Sequence, residues 1–207
     1  MSTSAAPADA GVLWPAALQR ALARAAHDVK DALNGVSVNL EVVRSRASRA
    51  DAPASAVAPF AEAAAQQLER LTALLDAVLA LGRSERGPAD VGVTLRRLAA
   101  LCSASNASSD ARVTVREALT GDARTSVASD AVRLALIAPL LDAVASRRGE
   151  SREAVICELT GDGDALVVRL LADRPVPMPA DAAEVLRAAG VRWTASAHDL
   201  SVVFPRA

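Results

Sequence analysis

Residues 22–47 read LARAAHDVKDALNGVSVNLEVVRSRA, and this stretch decides the first half of the fold. Small or apolar side chains recur there at alternating spacings of four and three residues, at Leu22, Ala26, Val29, Leu33, Val36, Leu40, Val43 and Ala47. Such a repeat, held over several heptads, is typical of a helix that packs along one seam against other helices. The pair Trp14-Pro15 predicts the start of this helix, because proline is tolerated in a first helical turn.

A second amphipathic helix is predicted from about Pro59 to Leu81, with a seam at Ala61, Ala64, Leu68, Leu71, Leu75 and Val78. The segment RADAP at 49–53 interrupts the pattern before it, and glycine and proline at 82–88 end it. A short connection between two long amphipathic helices gives an antiparallel hairpin. Because one hairpin leaves an apolar face uncovered, we expect two chains to form a four-helix bundle, and therefore a homodimer.

After residue 88 the pattern changes from long helices to alternating short elements. The predicted elements are helices at 91–101, 129–145 and 180–189, and strands at 112–116, 154–160, 165–172, 191–195 and 200–204. This order indicates an α+β sandwich in which helices cover one face of a mixed sheet. The predicted division is a flexible lead over 1–11, the helical hairpin over 12–86, and the α/β sandwich over 87–207.

Composition excludes several classes of function. The formal net charge of −1 argues against a nucleic-acid partner held by bulk electrostatics. No apolar stretch approaches the ~20 residues that a membrane-spanning helix needs, so a cytoplasmic protein without membrane contact is expected. Cys102 and Cys157 lack metal-ligand spacing and are predicted to be core residues. His198 is predicted to be a turn residue, and two distant histidines assemble no metal site.

His27 is the candidate for chemistry. It follows the seam residue Ala26, so its side chain is expected to face away from the bundle. An exposed imidazole has a pKa near 6.5, so much of it is neutral and nucleophilic near neutral pH. Phosphoryl transfer needs such a nitrogen with positive charge nearby, and Arg24 and Lys30 lie three residues to either side. Asp28 and Asp31 are within reach of the ring on the same helix.

Residues 27–35, HDVKDALNG, resemble the phospho-acceptor box of sensor histidine kinases, which lies in the first helix of a dimerisation hairpin. The resemblance implies that His27 accepts phosphate and that Asp28 is its acidic neighbour. One position departs from the family pattern, because Asp31 stands where the family has Asn or Thr. That family residue positions water for phosphatase activity, and a carboxylate there would repel a phosphoaspartate. The alternative interpretation is an ordinary surface histidine on an alanine-rich helix.

Residues 87–207 resemble the ATP-binding domain of the same kinases, with key residues replaced. Asp130 and the apolar helix after it match, but Ala138 and Asp142 stand at the two asparagine positions that serve Mg²⁺ in the family. The segment DRPVPMP at 173–179 falls at the Asp-x-Gly-x-Gly motif, with Asp173 kept and both glycines replaced by proline. Proline fixes φ and removes the N–H, so this loop cannot imitate the glycine loop. The lid segment is also missing, and we expect neither ATP nor any other cofactor to bind.

The pattern predicts a histidine phosphotransferase of a bacterial phosphorelay, similar to the ChpT type. His27 would carry phosphate between receiver-domain aspartates, and Mg²⁺ would enter only through the receiver. The expected partners are a second copy of the chain and response-regulator receiver domains, with a hybrid histidine kinase as a further candidate. The predicted docking residues are Asn34, Ser37, Val38 and Glu41 on the first helix and Leu74 and Ala77 on the second.

Three alternatives stay open on the sequence alone. The first is a binding-only pseudokinase that regulates a kinase or a receiver without carrying phosphate. The second is a working autokinase, which nucleotide binding would reveal. The third is a helical dimer of unrelated function with an accidental histidine box.

Overall fold

The computed structural model describes residues 9–49, 53–83, 88–104, 113–146, 154–172 and 174–207. Its helices are α1 (Ala10–Ala47), α2 (Ala58–Gly82), α3 (Val91–Ala104), α4 (Ser129–Ser146) and α5 (Ala180–Ala188), with a 3₁₀ turn at Ala54–Ala56. Its strands are β1 (Pro88–Asp90), β2 (Val113–Ala118), β3 (Arg124–Ala128), β4 (Val155–Asp162), β5 (Ala165–Leu171), β6 (Arg192–Ala195) and β7 (Asp199–Pro205).

The long helix α1 starts earlier than the sequence predicts. Asp9 has an extended backbone and its carboxylate accepts a hydrogen bond from the N–H of Gly11 at 3.3 Å, which caps the helix. Pro15 lies inside the helix rather than at its start. Prediction of the start at Trp14-Pro15 was therefore wrong, and residues 10 and 11 belong to the helix rather than to a flexible lead. Residues 1–8 lie outside the described part of the chain.

Helices α1 and α2 form the predicted hairpin, but a different face of α1 is buried. The buried residues of α1 are mainly alanines, at Ala10, Trp14, Ala17, Ala21, Ala25, Ala32 and Val36. The first five of these belong to one hydrophobic cluster with α3, α4 and the sheet. The hairpin base therefore shares a core with the second half of the chain, which the heptad pattern alone does not indicate.

The α/β half is built on a five-stranded mixed sheet of order β2-β4-β5-β7-β6. β2 pairs in parallel with β4, and the other neighbours are antiparallel. Alternate residues of β4, β5 and β7 are buried, which places one face of the sheet on the core. The prediction of an α+β fold with a mixed sheet is confirmed, while β1 and β3, a separate antiparallel pair, were not predicted.

The predicted core residues of this half are in place. Cys102, Cys157 and Phe204 are buried, neither cysteine forms a disulfide, and Trp193 packs partly buried against the same core. His198 lies in the turn between β6 and β7, as expected. Among the helices of the described residues, none combines the length and the apolar character needed to cross a membrane.

Candidate functional site

The histidine box lies in the middle of α1, on uninterrupted helix. Two residues before His27, Ala25 is buried at 2% exposure, and five residues after it, Ala32 is also buried. With 100° per residue, position 27 is about 200° round the helix axis from Ala25. The backbone therefore places position 27 on the side of α1 away from the core. The side chains of Arg24, His27 and Asp28 lie outside the described part of the structure.

The described neighbours of His27 are open to solvent. Ala26, Lys30 and Asp31 are all exposed, while Val29 is half-buried and packs against the core. Lys30 lies three residues after position 27, so its ammonium group is on the same helical face. A cation and a carboxylate thus lie beside the candidate acceptor, on a surface that another protein can reach.

The first-helix docking residues continue this surface. Asn34, Ser37, Val38 and Glu41 are all exposed, with Val38 at 62%. The Ser37 hydroxyl donates to the carbonyl of Leu33 at 3.0 Å, and Glu41 accepts from Arg44 at 2.9 Å. Both hydrogen bonds are made within α1 itself.

The second-helix docking residues are placed differently. Leu74 and Ala77 are only 3% and 5% exposed and belong to the core cluster with α3 and α4. Their burial corrects the prediction for this pair, because a partner cannot reach side chains that the chain itself covers. The error has a simple cause: the sequence does not show that the α/β half packs on this flank of α2.

The opposite flank of the hairpin carries a row of exposed leucines. These leucines, here called the leucine face, are 48% to 62% exposed and comprise Leu33, Leu40, Leu68, Leu75 and Leu79. On each helix they lie roughly 100° to 160° round the axis from core residues such as Ala21 on α1 and Leu81 on α2. An apolar strip this long is unusual on the surface of an isolated chain.

Helix α4 carries Ala138 and Asp142, the two positions at which the sequence resemblance to histidine kinases predicts asparagines. Ala138 is half-buried and Asp142 is exposed, and both line a cleft of about 310 Å³ between α4 and α1. The α1 side of this cleft is formed by Ala17, Arg20 and Ala23. Arg20 also lies 3.9 Å from the carboxylate of Asp181, at the start of α5. The described side chains around Ala138 are thus mostly apolar and belong to a helix–helix packing surface.

The proline segment before α5 is closely packed. Residues 174–179 form neither helix nor strand, with Val176 buried and Met178 half-buried against the core. Pro179 occupies the N-cap position of α5, with φ −56° and ψ 130°. Three prolines here offer no N–H to a phosphate or to a water molecule. The predicted role of Asp173 concerns a residue outside the described part of the chain.

Sequence reasoning missed Arg133. This arginine of α4 is 1% exposed, among the most buried side chains of the described residues. Arginine within an apolar run is a detectable signal, but its partners Arg83 and Trp14 lie far away in the sequence. Only the fold brings these residues together.

Comparisons with known proteins find weak similarity among solved structures. No protein-family profile matches the sequence, and no curated protein matches it either. Among solved structures, the chain is similar to the histidine kinase AdeS of Acinetobacter baumannii, with a TM-score of 0.42 at 10% sequence identity. The match covers 86% of this chain and 97% of that one.

Proposed function

We propose that the protein is a histidine phosphotransferase that carries phosphate between receiver-domain aspartates on His27. The observation that supports this most is the phase of α1, which buries Ala25 and Ala32 and leaves Ala26, Lys30 and Asp31 exposed. A histidine box on the outer side of a helix is accessible to a second protein. Two-component signalling is the setting in which such a box acts, according to the sequence resemblance.

The chemical step needs little from the protein beyond position and charge. The unprotonated ring nitrogen of His27 uses its lone pair to form an N–P bond with the phosphoryl group of a receiver phosphoaspartate. The P–O bond breaks, and its electron pair stays on the aspartate as a carboxylate. The second ring nitrogen keeps its proton or gives it to water. Lys30 offsets the charge of the phosphoryl oxygens, and the reverse step passes the group to another receiver.

The proline segment supports a protein rather than ATP as the source of phosphate. With Pro175 and Pro177 in the place of the two glycines, the loop lacks backbone donors at both positions. Val176 between them is buried against the core, which anchors the loop, while Pro175 and Pro177 themselves are exposed. Phosphate would then enter and leave through the same surface of α1.

Receiver docking is assigned to the exposed residues of α1. Asn34, Val38 and Glu41 continue the helical face of His27, so a receiver with its aspartate at His27 would cover them. The leucine face lies elsewhere on the hairpin, and we assign it to a second copy of the chain. Dimerisation through that face leaves Asn34 and Val38 uncovered on the outer side of α1, whereas Ser37, between Leu33 and Leu40 on the helix, lies at the edge of the dimer interface.

Phosphotransfer to His27 can be tested directly. The full chain is incubated with receiver domains that carry labelled phosphate on aspartate, and acid-labile label on the chain is measured. We expect label on the wild type, none on His27→Gln, and unchanged labelling of His198→Gln, which removes the other of the two histidines. A receiver that binds the chain without transferring label would contradict the proposal and indicate a binding-only role. Labelling from ATP alone would contradict it as well.

A further inference from the structure

One buried arginine links the two halves of the chain. Arg133 lies on α4 at 1% exposure. Its Nη1 donates a hydrogen bond to the carbonyl of Arg83, the residue directly after α2, at 2.9 Å. The same nitrogen lies 3.3 Å from a carboxylate oxygen of Asp130. Its guanidinium carbon is 5.8 Å from the centre of the Trp14 ring on α1. Arg133 therefore contacts the start of α1, the end of α2 and its own helix.

The apolar contacts that α1 makes with α4 come mainly from small side chains. The residues of α1 that share the core with α4 are Trp14 and a row of alanines, including Ala17, Ala21 and Ala25. Alanine side chains form a smooth surface, and hydrophobic burial has no preferred direction. A charge-assisted hydrogen bond does have one, because its strength falls steeply with distance and angle.

A buried charge in this position also needs a reason. Taking a guanidinium out of water is costly, and an apolar side chain of similar volume is often as stabilising. The cost is offset here by partners on three helices, two of which belong to the hairpin. Contacts of this kind favour one arrangement over the alternatives that hydrophobic burial permits.

We propose that Arg133, Trp14 and the Arg83 carbonyl form an interdomain contact, here called the Arg133 contact, that holds the hairpin at one fixed orientation on the α/β half. The two halves then move as one body, and the surface around His27 is formed before any receiver arrives. This property does not depend on the proposed function, since it concerns the orientation of the halves and needs no phosphate.

The role of the Arg133 contact can be tested by measuring one distance between the hairpin and the α/β half. Spin labels at Ser45→Cys on α1 and Thr194→Cys on β6 are attached to the full chain, because both positions are exposed and the native Cys102 and Cys157 are buried. The labelled chain is mixed with an excess of unlabelled chain, so that the measured distance lies within one chain and not across the proposed dimer. We expect a single narrow distance distribution in the wild type. Arg133→Met should widen it by about twofold or more while the secondary structure is kept, since the apolar contacts remain without the directional bond.

Matched variants distinguish loss of the Arg133 contact from a general effect of substitution on the fold. Arg187→Met removes an arginine that lies 4.9 Å from the Trp193 ring within the α/β half, and it should leave the distribution unchanged. If Arg133→Met does not fold, the width of the distance distribution is measured in Trp14→Leu instead, because this variant keeps an apolar side chain but removes the ring. A folded Arg133→Met or Trp14→Leu protein with the wild-type width would overturn the proposal, and so would a broad distribution in the wild type. His27→Gln should abolish phosphotransfer without changing this distance. Failure of one of the two proposals would therefore not imply failure of the other.

Discussion

The thiol of Cys157 lies on the buried face of β4, and burial raises its pKa from 9.0 to about 12. The folded state therefore keeps its proton at pH values where the unfolded chain loses it. The stability from this group is complete below pH 9 and is lost as the pH rises toward 12. The chain has no tyrosine, so few other side chains contribute to the pH dependence in this window.

We expect the free energy of unfolding to fall between pH 9 and 11, and Cys157→Ala to reduce that fall. Urea unfolding at several pH values measures it, with Lys30→Gln as the control that keeps the wild-type slope. The same burial predicts slow reaction of the native protein with thiol reagents and fast reaction after unfolding. An identical pH slope in wild type and Cys157→Ala would show that the thiol is not responsible.

Gly35 lies inside α1 beside Gln67 of α2. A Cβ at position 35 would lie 2.5 Å from Nε2 of Gln67, so the amide must move. The atom in the way is the far end of a flexible side chain, whereas glycine in a helix costs about 1 kcal/mol relative to alanine. We therefore expect Gly35→Ala to stabilise the protein by up to about 1 kcal/mol, measured by urea unfolding.

The double variant Gly35→Ala with Gln67→Ala checks this explanation, because it removes the side chain in the way. It should be at least as stable as Gly35→Ala alone. A clear loss of stability in the single variant, recovered in the double one, would mean that Gln67 is held more firmly than its flexibility suggests.

At the scale of residues, the sequence could predict the candidate site only along α1. The spacing of His27, Lys30 and Asn34 on one helix is set by the chain itself, so their common face follows from helical geometry. Leu74 and Ala77 were misplaced because their exposure depends on α3 and α4, which are remote in sequence. Arg133 was missed for the same reason.

At the scale of elements, α3 begins with a side-chain cap. The carboxylate of Asp90 accepts a hydrogen bond from the N–H of Val93 at 2.8 Å, and the Thr94 hydroxyl donates to the Asp90 carbonyl at 2.8 Å. Loss of such a cap costs about 1 kcal/mol. We expect Asp90→Ala to lower the free energy of unfolding by that amount.

Chemical denaturation measures the effect of the cap, with two comparisons. Asp90→Asn keeps an acceptor oxygen and should retain most of the stability. Glu62→Ala changes an exposed carboxylate within α2 and should have little effect. Equal losses in Asp90→Asn and Asp90→Ala would show that charge, not capping, matters at this position.

The elements themselves divide by how much they depend on distant partners. α4, β4 and β5 have strong apolar patterns and form close to their predicted bounds. β1 has only three residues and includes a proline, and β3 pairs with it and, through a single bridge at Thr125, with Arg206, so neither gives a clear pattern. The buried face of α1 is mostly alanine, and alanine offers little hydropathy contrast between a buried position and an exposed one. The sequence therefore predicts the helix but not its buried side.

At the scale of the whole molecule, the leucine face predicts the state of assembly. Leu68 and Leu75 lie one heptad apart on α2 and are exposed, so replacing both by Glu should break a dimer and leave the single chain folded. Sedimentation of the wild type and of the Leu68→Glu, Leu75→Glu protein measures this. Val12→Glu is the control, because Val12 is 71% exposed near the start of α1 and lies outside the leucine face. A wild type that sediments as a monomer at micromolar concentration would contradict the prediction.

The position of β7 in the sheet has a consequence for synthesis on the ribosome. β7 follows every other element in the sequence, yet it lies between β5 and β6. The sheet therefore cannot close until the last strand has emerged, while both helices of the hairpin are complete much earlier. A chain grows at about 5–20 residues per second. The alanine side of α1, which α4 later covers, therefore stays exposed for several seconds. During that interval the nascent hairpin has two uncovered flanks, and chaperones or a neighbouring nascent chain can reach either of them.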